Sequence, residues 1–443
     1  MSAQSQLWIA TARLVRRSGF GATGPEIDAA LRLGSAAYVR SVMTFNPATD
    51  AAAADAGTKA TPAPSFTPIA PVGKAASKQA RLQRNQQVGA QLTQLAAWWV
   101  RRMVSAQQPS TEKLTFCWHN HFATAASKVR EPGWLLNQNQ TLRRLGRGDF
   151  ATLASAMLTD AAMLYWLDGQ KNTATAPNEN LSREFMELFA LGHGDGYTET
   201  DVREGARALT GWKIRLDGTT YLNTAQHDGG TETLLGVTGN LDVTGFRDAV
   251  LARPSSARYL ATRWWGQLVS DTAPSAETVT ALADAYGSHR DLGAMFTTML
   301  TQPEFSAAEG SLVIDPVEWL IGATRALRVA VPDDTAAKKL LGVLRALGQI
   351  PFYPPNVSGW PSGQAWLSTA AADARMQAAL SLANAGDLSI VAKASTTDRL
   401  DAVGYLLGVG AWSARTTAVL RAAVADPPRL VAIALNTPEY LVH

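Results

Sequence analysis

Asn178-Glu-Asn-Leu-Ser-Arg-Glu-Phe-Met-Glu-Leu-Phe-Ala-Leu-Gly192 packs three carboxylates, an arginine and two asparagines into an otherwise apolar stretch. Met186, Leu188, Phe189 and Leu191 supply a helical apolar surface, while Glu179, Arg183 and Glu187 follow at spacings of four and share a face. The spacing predicts a polar helix buried in a helical protein. Charges in such company need partners, because an unpaired buried charge is costly. Glu179, Arg183 and Glu187 can pair with one another. Glu184 then has to look elsewhere, and the histidines His119, His121, His193 and His227 are the candidates. The competing expectation is that Arg183 and its glutamates only brace neighbouring helices, since structural ion-pair networks give the same pattern. If the face is buried, Arg183→Ala strands the glutamates at a cost of about 3–5 kcal/mol.

Outward from this stretch, the 443 residues are 46% apolar and 17% charged, rich in alanine and poor in strand-like runs. This favours one large, mostly α-helical assembly, with a small β-hairpin insertion near 212–238. Three segments are expected: amino-terminal helices over 1–43, a Pro/Ala-rich extended connection over 44–76, and a main helical domain over 77–443. The main domain holds the site helices 114–122 and 178–192. Most of the 13 tryptophans belong in the core, with an aromatic-lined groove for a sugar or another flat ligand as the alternative.

Net charge is +3, but residues 1–103 carry 12 Lys/Arg against 4 Asp/Glu. The basic residues are scattered apart from pairs such as Arg16-Arg17 and Arg101-Arg102, and read as solvated faces or contacts to the acidic remainder. No dense basic stripe with stacking groups is present, so no nucleic-acid partner is expected. The single cysteine, Cys117, excludes an intramolecular disulfide and a cysteine-based zinc cluster. No apolar run reaches the length of a membrane span. The charges at Arg13, Arg16 and Arg17 follow the short apolar run Leu7–Ala10, the reverse of a secretory signal. This predicts a cytoplasmic protein, or a mature form of an exported one.

Along the chain, Thr23…Glu26 with Pro25 forms a capping box that opens a helix to about Leu33. Lys78 to Val104 is the longest helix, and shorter ones cover 133–146 and 149–167. Gly192 and Gly194 close the polar helix, and Thr198-Glu-Thr-Asp201 opens the next one, to about Thr210. Lys213 to Asn223 reads as a hairpin around Asp217-Gly218. Helices return from about 242 to 436, interrupted by the rigid loop Phe352-Tyr-Pro-Pro-Asn-Val-Ser-Gly-Trp360-Pro-Ser-Gly-Gln-Ala-Trp366, a candidate pocket wall.

His119-Asn-His121 places two imidazoles two residues apart. In an extended segment both face one way and can grip one metal ion, whereas on a helix they diverge by about 200°. Joined by Glu184, Glu187 and His227, they would make a His/carboxylate set suited to iron, manganese, zinc or copper. Hydrogen-bonded core histidines are the alternative. No P-loop, Gly-x-Ser-x-Gly elbow, Gly-x-Gly-x-x-Gly turn after a strand or His-Glu-x-x-His is present.

Several segments together resemble the bacterial family catalogued as domain of unknown function 1800. They are Arg16-Arg-Ser-Gly-Phe-Gly-Ala-Thr23, Phe116 to Phe122, Asn178 to Gly192, Tyr197 to Glu204 with Thr210-Gly-Trp212, His227-Asp228 with Leu235-Gly236, and Pro354-Pro-Asn-Val-Ser-Gly-Trp-Pro361. The resemblance runs in order over nearly the whole chain. It carries no general biochemical role. It implies an association with a second uncharacterised family, numbered 1501, which resembles sulfatases and supplies a candidate partner, and its members often carry export signals. Two function classes follow. One is a metal-dependent oxidoreductase or hydrolase with metal ligands His119, His121, Glu184, Glu187 and His227, where Asp228 closes the site and Arg183 orients a carboxylate or an anionic substrate group. The other is a non-catalytic scaffold that binds a protein or a glycan.

Overall fold

The helix at the centre of the molecule is Ser110–His121, every residue of which is buried except Asn120. The computed structural model describes residues 4–44, 59–73, 75–194, 196–307 and 312–442. In chain order the elements used below are α1 (Gln6–Ser18), α2 (Gly24–Leu33), α3 (Ser35–Met43), α4 (Lys78–Ser105), α5 (Ser110–His121), α6 (Pro132–Leu145), α7 (Asn180–Glu184), α8 (Glu199–Ala208), α9 (Pro254–Leu268), α10 (Pro316–Ala326), α11 (Asp334–Leu347), α12 (Thr369–Ala385) and α13 (Pro427–Ala434). The protein is mostly α-helical, as expected.

A helix buried all round has to be apolar on every face or have its charges matched. In α5 both conditions operate. Phe116 enters one hydrophobic core together with Trp99, Trp319, Trp360 and the facing sides of α10 to α13. Leu114, Cys117 and Trp118 enter a second core with Phe150, Phe189, Trp264 and Phe296. The charged residues between them are matched one by one. Glu112 accepts from Arg102 Nε (2.6 Å), Arg143 Nε (2.8 Å), Arg143 Nη2 (2.8 Å) and Trp99 Nε1 (2.9 Å). Lys113 donates to Glu318 of α10 at 2.5 Å, with both side chains nearly closed off from solvent. In the first core, α4 packs on α11, and α12 packs on α13.

Of the two expectations for the arginines of α1, a solvated face or contacts to the acidic remainder, the first is overturned, because Arg13, Arg16 and Arg17 are all buried. Arg16 donates to the carbonyls of Leu407 (3.1 Å) and Gly408 (2.7 Å), and Arg13 to that of Ser306 (3.2 Å). Leu407 ends a helix and Gly408 caps it, so the guanidinium sits where carbonyls lack intrahelical partners and the helix dipole favours a cation. Burial brings Arg16 down to about 10.

Local signals located the helix ends well. Thr23 N donates to Glu26 Oε2 (2.9 Å), which is the reciprocal half of the predicted capping box. The insertion after α8 is two hairpins rather than one. β1 (Trp212–Ile214) pairs antiparallel with β2 (Thr220–Leu222) across Asp217-Gly218. β3 (Glu232–Leu234) pairs with β4 (Val237–Gly239) across Leu235-Gly236, both residues at positive φ as a mirror-image two-residue turn requires. Leu235 N donates to Asp201 Oδ1 (2.7 Å), anchoring that turn to α8. Of the Pro/Ala-rich connection, 45–58 lies outside the described residues. Its later part is laid along α4, with Trp98 Nε1 donating to the Thr61 carbonyl at 3.1 Å. Among the described residues no helix is long and apolar enough to cross a membrane.

Candidate functional site

At the carboxy-terminal end of α5 the last three polar side chains hold two distant segments, the Pro/aromatic loop at two points and the polar stretch at one. His119 Nε2 accepts from Phe352 N (3.1 Å), at the start of the Pro/aromatic loop. Asn120 Oδ1 accepts from Trp360 N (2.8 Å), midway along the same loop. His121 Nε2 donates to the Phe189 carbonyl (3.0 Å) of the polar stretch. These partners fix opposite tautomers: His119 Nε2 bears no hydrogen, because an amide donates to it, and His121 Nε2 carries one, because a carbonyl only accepts. Trp360 and Trp366 are buried. The loop tryptophans therefore anchor the core rather than forming a pocket wall.

Because the segment is helical, the two rings point into different cores. His119 lies against Trp99, Phe352 and Trp360, with ring centroids 5.2–5.6 Å apart. His121 lies against Trp118 (5.2 Å) and Phe122 (4.8 Å). Burial pushes both imidazoles down to about 3, with Arg263 adding to the effect at His121. Each is therefore neutral when folded, while the unfolded chain takes up a proton below about pH 6.5, so stability rises with pH in that window. Urea midpoints measured between pH 6.5 and 5.5 should fall by the equivalent of about 2 kcal/mol, and His119→Gln should remove part of that slope.

The polar stretch does not continue as one α-helix. α7 ends at Glu184 and gives way to a π-helical turn, Phe185–Ala190. Leu191 N (2.8 Å) and Gly192 N (3.2 Å) both donate to the Met186 carbonyl. The widened turn is supported from outside: Tyr259 Oη donates to the Leu188 carbonyl (2.6 Å) and His121 to that of Phe189. Gly192 sits at φ 90°, where a Cβ would lie 2.9 Å from the Tyr259 ring. Turns of this kind recur at functional sites. On the outer side Glu184 is half-buried, pushed up first by burial and then by neighbouring Glu187. Glu187 itself contacts the exposed His193.

Arg183 corrects the reading of a buried network. It donates to Glu179 (2.9 Å) and doubly to Glu199 (both 2.7 Å), but it is 31% exposed and Glu199 65%. Solvent-exposed pairs contribute little, so Arg183→Ala should move the urea midpoint by no more than about 1 kcal/mol.

His227 and Asp228 lie in the loop before β3. Asp228 is bound by Arg207 Nε (2.8 Å) and by Gly230 N (2.9 Å), and the Arg207 guanidinium holds its carboxyl below the usual range. His227 Nδ1 donates to the Thr210 carbonyl (3.0 Å), and Thr210 Oγ1 accepts from Asp228 N (2.7 Å). Together these bonds staple the loop to the end of α8. The expected ligand set His119, His121, Glu184, Glu187 and His227 is thus dispersed, and Arg183 and Asp228 sit in separate ion pairs. Among the described residues no three His, Cys, Asp or Glu side chains are placed to share one metal ion. Asn120, Gly359, Tyr259 and Arg207 complete these junctions. Asn120 and Gly359 fall inside the quoted motifs without any chemical pattern to mark them, and Tyr259 and Arg207 lie outside those motifs, so nothing in the sequence pointed to them.

Comparisons with curated proteins and with solved structures give no match. A family model matches residues 13–442, so all the junctions just described fall within it, and the chain belongs to the family described as protein of unknown function (DUF1800).

Proposed function

We propose that this chain is a non-catalytic scaffold that presents a binding surface to another molecule, and that its polar motifs serve to build that surface. One observation carries the reading: the three side chains of His119-Asn120-His121 are each committed to holding a distant backbone segment, with the two imidazoles in separate apolar cores. An imidazole buried neutral and bonded to backbone is a fastening, and the matched charges of Glu112 and Lys113 on the same helix fit the same role. The metal-dependent alternative needs ligands that converge. Elemental analysis of protein purified without a histidine tag distinguishes the two. The scaffold reading expects transition metal well below one equivalent per chain. About one tightly held equivalent, lost in His119→Ala at unchanged helical signal, would overturn it.

A further inference from the structure

We infer that the groove between Phe66 and Trp134 is a binding site for one ring of a neutral saccharide; this rests on the scaffold reading and names what the surface takes. The groove encloses about 260 Å³; Phe66, Trp134 and Leu216 are among its apolar lining residues, and Gln91, Glu131, Asn137 and Asp217 among its polar ones.

Three otherwise unrelated segments are held in place to make it. The extended stretch carrying Phe66 is tied along α4 by Gln91 Nε2 to the Thr67 carbonyl (3.4 Å) and by Arg84, which donates to the carbonyls of Ala70 (3.2 Å) and Ile69 (3.4 Å). The same Arg84 reaches Glu131 Oε1 (3.1 Å) at the start of α6, which carries Trp134 and Asn137. The tip of the first hairpin supplies the opposite wall. There Gly218, at φ 85°, lies so near the Trp134 ring that a Cβ would come within 2.5 Å of it, so the turn is seated on the indole edge. Leu216 beside it is 53% exposed, an apolar side chain held at the rim.

The chemistry of this lining selects a ligand class. Aromatic and aliphatic side chains offer surfaces for the C–H faces of a pyranose, and the exposed Asn137 amide and Oδ2 of Asp217, whose Oδ1 is taken by Thr219 N and Oγ1, offer the donors and acceptors that ring hydroxyls need. The Glu131 charge is matched by Arg84, and among the described residues no Lys or Arg lines the groove, so an anionic ligand would face Asp217 without a counter-charge. A cavity of this size takes a single ring, with the rest of a chain passing over the rim.

The test uses the full-length protein with cellotetraose, chitotetraose and maltotetraose, read by saturation-transfer NMR and calorimetry. At least one tetramer should saturate, and Phe66→Ala should weaken it about tenfold, as loss of an aromatic contact implies. Asn137→Ala alters an exposed side chain, so it keeps the test sound if Phe66→Ala fails to fold, and it should weaken binding several-fold at an unchanged melting temperature. No binding of any tetramer overturns the proposal. So does binding that both variants leave intact, or binding of choline in place of the sugars. Metal content measured on the same protein keeps the two readings separate: a sugar failure in metal-free protein leaves the scaffold reading standing, and a stoichiometric metal defeats that reading whatever the sugars do.

Discussion

Replacing Glu112 with alanine is expected to cost about 3–5 kcal/mol, read as a lower urea midpoint, because it strands the buried Arg143 and the largely buried Arg102 without a counter-charge. Burial alone would raise this carboxyl, but Arg143 and Arg102 outweigh it and hold it at about 2. The four donors around it come from two helices, α4 and α6, so Glu112 is the point at which both are attached to α5. Glu112→Gln keeps the shape and loses the charge, and should recover only part of the deficit, since one of its polar atoms becomes a donor facing donors. A loss below about 1 kcal/mol in the alanine variant would mean that the arginines find water on relaxing, and that α5 is not the buried axis described above.

The second large effect is expected at Gly359. It lies at φ 90°, and a Cβ there would stand 2.2 Å from Asn120 Oδ1 and 2.5 Å from the Asn120 carbonyl oxygen. Alanine would therefore combine backbone strain with a clash against the acceptor that holds Trp360, and about 3–5 kcal/mol is expected from the two together. The loss should be accompanied by greater access of Trp360, seen as a red-shifted emission and faster cleavage within 352–366. Full stability in Gly359→Ala would show that the loop lifts off α5 at little cost, and would remove one arm of the three-way junction.

How much of this was legible in the sequence depended on whether the partner was local. The capping box at Thr23–Glu26, the long helix from Lys78 and the Asp217-Gly218 turn are written within a few residues, and the structure has them there. For Arg16 a solvated face and a contact to the remainder of the chain both stood open, and composition could not choose between them, because its acceptors, at Leu407 and Gly408, lie 391 and 392 residues away. The same holds for His119, whose partner is 233 residues on. His-Asn-His can be read as extended or helical, and only the helix separates the rings. The π turn left no mark either: Phe185, Met186, Phe189 and Ala190 are buried at spacings an α-helix would also give, and the extra residue is absorbed by Tyr259 and His121 from elsewhere. Arg183 takes one of its expected partners, Glu179, while Glu187 turns to His193 and Glu199 fills its place; burial is not encoded by pairing, and this network faces water.

We propose that His119, Asn120 and His121 fasten the molecule in place of serving a metal centre. That role is tested most directly by elemental analysis of untagged protein, alongside the His119→Ala variant, after equilibration with iron, manganese, zinc and copper and removal of loosely bound ions. A fastening role gives far less than one equivalent of any of the four in wild type, with His119→Ala altering stability and not metal content. About one equivalent per chain in wild type, retained through dialysis and absent from His119→Ala, would contradict it.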